Sequence, residues 1–85
     1  MNTTFLLMAE FEASVIPLSD IAERYFGMKP VTADKKAGAG DLPVPTFRIG
    51  DSQKAPRMVH VNDLADFIDK RRGEAKIELA RIKQC

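Results

Sequence analysis

The side chains best able to do chemistry in this chain are the basic residues of its middle third. Residues 29–57 carry six Lys or Arg against three Asp, whereas residues 1–28 carry four acids against one base. The 85 residues together have a formal net charge of +1 at pH 7, so the cationic excess is local. This segment could bind a polyanion such as nucleic acid, although a basic loop exposed only to solvent gives the same pattern.

Four polar residues between positions 29 and 36 are the first group of candidate DNA contacts. Lys35 can donate a hydrogen bond to guanine, and Thr32 can contact a thymine methyl group or a phosphate. The alternative is a helix face exposed only to solvent, and the stem of Lys36 could lie along the core. The group consists of Lys29, Thr32, Lys35 and Lys36.

Five residues between positions 48 and 57 are the second group. Arg48 and Arg57 are expected on facing strands, where they could hold one phosphate between them. Gln53 and Lys54 are expected at the tip of the connecting turn, from which they could enter the minor groove. Arg48 could instead pair with a nearby Asp. The group consists of Arg48, Ser52, Gln53, Lys54 and Arg57.

The composition does not favour catalysis or metal binding. His60 is the only histidine, whereas a metal site needs several ligands together. Cys85 is the only cysteine, so the chain forms no internal disulfide, and no neighbouring His or Asn would activate this thiol. Residues 38–40 lack the Lys-Ser/Thr ending of a phosphate-binding loop. We therefore expect a protein that is not an enzyme and uses no metal or cofactor.

Two elements are expected in the first third. Thr3–Phe11 is rich in Phe and Leu and is followed by Pro17, which favours a strand, although Leu, Met and Ala also favour helix. Residues 19–27 have apolar side chains at helical spacing and predict a short helix. Ser19 is the better side-chain cap for this helix, and Gly27 can take a positive φ and end it.

The middle third predicts a second short helix and a β-hairpin. The helix covers residues 31–39, with Pro30 before it and Thr32 as a local cap. Residues 46–49 and 57–61 alternate polar and apolar side chains, as half-buried strands do. Turn-forming residues separate these two strands, so the sequence predicts a hairpin with a long polar tip.

The last third predicts a long helix that begins after Asn62, a residue type that suits a helix N-cap. The helix can continue through Gly73 to Ile82, where Ala75, Leu79 and Ile82 form an apolar stripe. Residues 73–85 would thus be a helical tail able to dimerise, although the tail is too short to predict a coiled coil.

This order of elements predicts one domain over residues 1–85, an α+β winged helix-turn-helix with an N-terminal strand, a hairpin wing and a long C-terminal helix. In such modules the second helix of the motif lies in the DNA major groove and the wing contacts the flanking backbone. The basic segment coincides with the second helix and the wing. The coincidence favours nucleic acid over a basic loop that contacts only solvent.

Several stretches of the chain also carry a family resemblance. They are Met1–Phe11, Ile16–Leu18, Tyr25–Gly27, Gly40–Arg48, Gly50–Lys54 and Pro56–Arg57. Through these residues the chain resembles the pyocin activator protein (PrtN) family of bacterial and prophage transcription regulators, and the Leu-Pro-x-Pro-Thr-Phe-Arg stretch is the most specific of them. A weaker resemblance, to the excisionase branch of MerR-like winged helices, lies in Gly40–Pro43, Phe47–Ile49 and Val61–Arg72. Asp34, Gly38 and Gly40 depart from the basic, glycine-poor recognition helix expected in the family.

The resemblance implies a sequence-specific activator of bacteriocin or prophage genes that binds promoter repeats. Two alternatives stay open at this point: a phage excisionase or architectural factor that bends DNA, and a protein-interaction module whose C-terminal helix docks on a partner. Salt dependence of binding and promoter assays would separate them.

The expected partners are double-stranded promoter DNA, a second copy of the chain and RNA polymerase. A module this small contacts few base pairs, so we expect a homodimer that pairs through the N-terminal strand or the apolar stripe of the tail. The longest apolar run near the start, residues 5–9, is far shorter than the roughly 20 residues that span a bilayer. With no membrane span and no targeting signal evident, we expect a cytoplasmic protein.

Overall fold

In the computed structural model, which describes residues 2–52 and 54–84, four helices pack around a small antiparallel sheet. The order of elements confirms the α+β class and the small winged helix-turn-helix fold. The elements are α1 (Thr3–Phe11), β1 (Val15–Pro17), α2 (Leu18–Phe26), α3 (Pro30–Ala39), β2 (Met58–His60) and α4 (Val61–Gln84).

The first element is a helix, so the predicted N-terminal strand over Thr3–Phe11 is wrong. The Asn2 side chain accepts a hydrogen bond from the backbone N–H of Phe5 at 2.9 Å, which satisfies one of the donors left free at a helix start. Leu7 is buried in the core. A capped start and tertiary burial therefore outweigh the β-propensity of the two phenylalanines.

The helix-turn-helix consists of α2 and α3, joined by three residues. Gly27 ends α2 with φ 65°, as predicted, and Gly40 ends α3 in the same way with φ 77°. Pro30 occupies the first position of α3. The predicted side-chain caps are wrong: Ser19 and Thr32 lie within the helices, and neither helix has a side-chain cap hydrogen bond.

The sheet pairs β1 with β2, with Ile16 opposite Val59 at its centre. Phe47 extends it by a single antiparallel bridge to Met58. The return strand predicted over residues 57–61 is thus present in its central part, but residues 46–49 contribute only this bridge. The regular partner of β2 comes instead from β1, which the sequence did not predict as a strand, so the wing is an irregular loop closed at Phe47 and Met58.

The long C-terminal helix is present as predicted and runs unbroken through Gly73. Its 24 residues correspond to about 36 Å of helix. Asn62 lies inside the first turn, and the His60 side chain supplies the cap, because its Nδ1 accepts the Asn62 backbone N–H at 3.0 Å. Within the described residues, no helix combines the length and apolar character needed to cross a membrane.

The core is formed by side chains from every element. The apolar face predicted for α2 is confirmed, and the first half of α4 likewise buries or half-buries its inward residues. The largest fully buried side chains are Ile16, Ile21, Val59, Val61 and Leu64.

A cluster around Arg24 attaches the C-terminal turn of α1 to α2. The Arg24 guanidinium pairs with the Glu10 carboxylate and lies 5.8 Å from the ring centre of Phe11 and 5.3 Å from that of Tyr25. The Tyr25 hydroxyl donates to Glu10 Oε2 at 3.3 Å. Glu10, one of the four acids of the first third, therefore helps to hold α1 against α2.

Replacement of Leu64 by Ala should destabilise the protein by about 2–5 kcal/mol, because it leaves a cavity in a fully buried part of the core. The free energy of unfolding in urea measures this. Val31→Ala, at a position 67% exposed on α3, is the matched control and should change stability little. Equal losses for the two variants would contradict the described core.

Tyr25 should titrate above its usual value, because burial and then the nearby Glu10 carboxylate raise its pKa above 10.0, against the opposing charge of Arg24. The folded state then keeps a proton that the unfolded chain loses, so this contribution to stability is present below pH 10 and is lost as the pH rises through the folded pKa. Tyr25 is the only tyrosine and the chain has no tryptophan, so phenolate absorbance reports it directly. Glu10→Gln should bring the pKa back toward 10.0; a wild-type midpoint at or below 10.0 would contradict the packing.

Candidate nucleic-acid interface

The side chains of α3 separate onto three faces, because successive helix residues are about 100° apart. Ala33 is fully buried and Ala37 is half-buried against the core. Asp34 and Gly38, one turn apart, lie on the side that meets Arg57. The third face, opposite Ala33, is exposed to solvent. Small residues on the inner face let α3 pack closely on α2 and leave a full outer face free.

The residues of the first group of sequence-predicted contacts are all exposed. Thr32, Lys35 and Lys36 lie within α3, and Lys29 lies immediately before it. Lys35 is nearly opposite the buried Ala33 and therefore lies on the outer face. Lys36 is exposed as well but lies only about 60° round the helix from Ala33, beside the inner face.

Arg57 connects the wing to both helices of the motif. Its Nε donates to Asp34 Oδ1 on α3 at 2.8 Å, and its backbone oxygen accepts the N–H of Leu18, the first residue of α2, at 2.8 Å. The Arg57 side chain is only 18% exposed, whereas that of Asp34 is 57% exposed. This arginine is thus largely covered and holds the base of the wing against the helices.

Gly38 makes room for this contact. A Cβ atom built on Gly38 would lie 3.1 Å from Arg57 Nη2, so any larger residue would displace the end of the arginine side chain. The glycine that weakens the helix by propensity is therefore explained by a close approach of Arg57. Asp34 is explained in the same way, as the ion-pair partner. Sequence reasoning missed this pair because its members are 23 residues apart and belong to different elements.

The wing is closed at its base and braced inside. Phe47 and Met58 exchange two backbone hydrogen bonds, of 3.1 and 2.7 Å. Arg48 Nε donates to the carbonyl oxygen of Ala55 at 2.9 Å, so the structural partner of Arg48 is a backbone oxygen rather than the Asp side chain suggested by the sequence. Arg48 and Arg57 thus each have a protein partner, one within the wing and one at its base.

The tip of the wing presents the remaining candidates. Ser52 Oγ accepts the backbone N–H of Lys54 at 3.1 Å, and the Ser52 carbonyl accepts the N–H of Ala55 at 3.0 Å, which together form a tight turn. Ser52 and Lys54 are exposed. Gln53, the fifth wing candidate, lies outside the described residues. Lys54 is therefore the exposed cation of the described wing.

No group of three or more potential metal ligands occurs within residues 2–52 and 54–84. His60 is half-buried in β2, as the sequence suggests, and its Nδ1 is used in capping α4. Cys85 lies outside the described residues.

Comparison with protein-family models gives a match over most of the chain. The model described as pyocin activator protein PrtN matches residues 3–75, which include the helix-turn-helix, the wing and the first half of α4. Comparisons with the curated proteins and with solved structures returned no match. The stretch of the chain that the family model covers is the one that builds the candidate interface.

The Asp34–Arg57 pair should contribute a coupling free energy of about 0.5–1 kcal/mol, near the upper end for ion pairs at a surface, because Arg57 is largely covered. A double-mutant cycle with Asp34→Asn and Arg57→Gln, followed by urea unfolding, measures it. The same cycle with Asp34→Asn and Lys76→Gln on α4 is the control and should be additive. Additivity in both cycles would contradict the anchoring role of Arg57.

Proposed function

The chain belongs to the pyocin activator protein PrtN family, and from this premise we propose that it activates transcription of bacteriocin or prophage genes by binding repeats in promoter DNA. The family is one of regulatory activators rather than of enzymes, and the proposal assigns no catalytic step to any residue.

The observation that supports DNA binding is that the base of the wing contacts α3, a helix whose lysines are exposed. Arg57 holds the wing beside α3, while the lysines of α3 remain exposed. A helix presented in this way fits the major groove, with the wing on the adjacent backbone. Lys35 then donates to a guanine edge and Thr32 contacts a thymine methyl group or a phosphate.

The charge distribution supports the same orientation. Asp34 would repel phosphates, but its charge is balanced by Arg57. Glu10, in the acid-rich first third, is paired with Arg24 on the contact between α1 and α2. The remaining exposed charge of α3 and of the residue before it comes from Lys29, Lys35 and Lys36.

The division of roles within the interface follows from these contacts. Lys54 and Lys29 neutralise phosphates, which adds affinity for any duplex. Lys35 and Thr32 distinguish sequences. Arg48 and Arg57 act first as braces of the wing, and their free N–H groups add phosphate contacts. We propose further that RNA polymerase contacts this domain and that the protein acts in the cytoplasm, where promoters are transcribed.

Replacement of Lys54 by Ala should weaken binding to every duplex and reduce the slope of log affinity against log salt by about 1. If about five phosphates are neutralised per subunit, the wild-type slope is about −4 to −5. Fluorescence anisotropy on a duplex from a pyocin promoter, measured at several salt concentrations, gives both slopes.

Replacement of Lys35 by Ala should instead cost about 1–3 kcal/mol on the promoter duplex and much less on an unrelated one. Lys76→Ala, which removes the same charge from α4, is the matched control and should leave both affinities nearly unchanged. If Lys35→Ala, Lys54→Ala and Lys76→Ala behave alike, the proposed interface is wrong. Promoter-fusion and excision assays on the same variants then separate an activator from an excisionase.

A further inference from the structure

Exposed apolar side chains are concentrated on two neighbouring elements that contain none of the candidate DNA contacts. Of the nine large hydrophobic residues exposed in the described chain, six lie on α1 or on the tail, the name used here for α4 beyond Gly73. These six are Phe5, Leu6, Met8, Ile77, Leu79 and Ile82. Leu79 and Ile82 share one side of the tail, whereas Ile77 lies about 160° round the helix from Leu79. The three residues of α1 together with Leu79 and Ile82 indicate a surface that is covered by protein.

The outer face of α1 has the composition of a buried helix. Glu10 is its only charged residue, and that carboxylate is engaged with Arg24. Phe5 is 59% exposed and Leu6 is 55% exposed, with Met8 and Ala9 exposed beside them. A helix that is apolar on all sides is normally enclosed, and here the monomer covers only the side of Leu7.

The tail continues an apolar stripe that begins in the core. Val61, Ala65 and Ile68 repeat at alternating intervals of four and three residues and are buried or half-buried. Arg72 occupies the next position of this repeat. Ala75, Leu79 and Ile82 occupy the three positions that follow, so they continue the stripe. Leu79 is 52% exposed and Ile82 is 66% exposed, because the helix has run past the body of the domain.

The two surfaces begin at one place in the fold. The Thr3 hydroxyl donates to Asp69 Oδ1 at 2.6 Å, which holds the first turn of α1 against α4 one turn before the tail starts. The apolar outer face of α1 and the apolar tail are thus adjacent. This arrangement is self-complementary, since the tail of one molecule can cover the outer face of α1 in another.

We propose that a second copy of this chain covers both surfaces, with the tail of each subunit lying across the outer face of α1 of the other. The tail stripe has only three residues, too few for two tails to associate stably through each other. Addition of the α1 face enlarges the buried patch, and twofold symmetry forms the contact twice.

Charge favours the same partner. The tail, residues 74–84, carries three bases against two acids, whereas residues 1–28 carry three acids besides the Glu10–Arg24 pair. A tail laid on the N-terminal third of another copy therefore brings opposite charges together, which favours this pairing over like-charged alternatives. The proposed contact uses none of the candidate DNA-binding residues, and its existence does not depend on the proposed DNA binding.

Sedimentation equilibrium without DNA tests the proposal. Wild-type protein at tens of micromolar is expected to be a dimer, and Leu79→Glu and Phe5→Lys should each weaken association at least tenfold. Val31→Glu, an exposed apolar residue on α3, is the matched control and should leave the dimer intact. Circular dichroism checks that each variant keeps its helices, as substitution at exposed positions should allow.

A mixture of the Phe5→Lys and Leu79→Glu variants distinguishes this arrangement from a pairing of tails. The mixed dimer has one unaltered contact and one in which Lys meets Glu, so mixing should restore association. A monomeric wild type, a Phe5→Lys variant that dimerises normally, or a mixture that stays monomeric would each overturn the proposal. None of these outcomes depends on DNA affinity, so the proposed function is judged separately.

Discussion

The contact on which the interface depends is the one that Arg57 makes between the wing and the helix-turn-helix. Its side chain donates to Asp34 on α3, and its backbone oxygen accepts from Leu18 at the start of α2. Among the described residues of the wing, the one isolated bridge is that between Phe47 and Met58, so the Arg57 contact adds a second attachment. A short loop becomes a positioned element because one largely covered arginine binds two helices at once.

The same contact explains why the recognition helix contains an acid and a glycine. Asp34 supplies the carboxylate, and Gly38 supplies the space for the guanidinium. Gly38 lowers the intrinsic stability of α3, since glycine in a helix interior costs about 1 kcal/mol relative to alanine. The lysines of α3 are exposed and available to a polyanion.

Much of the fold follows from local patterns, and the failures have physical causes. The apolar face of α2, its end at Gly27 and the unbroken α4 follow from periodicity and glycine geometry. The strand prediction for the first element fails because apolar residues suit helix and strand alike, whereas the Asn2 cap that begins the helix is seen in the structure. The exposed positions of Lys35 and Lys54 follow from the predicted helix and the predicted turn in which they lie. The ion pair of Arg57 depends instead on packing between elements that are distant in sequence, which no local pattern encodes.

Protection of guanine N7 from methylation on a pyocin promoter fragment tests the central claim most directly, because N7 lies in the major groove. If α3 enters the groove beside the wing, the wild-type protein should protect guanines within a short site, with backbone protection next to it. Lys35→Ala should lose the guanine protection and keep the backbone protection. Tight binding without any major-groove protection would contradict the account.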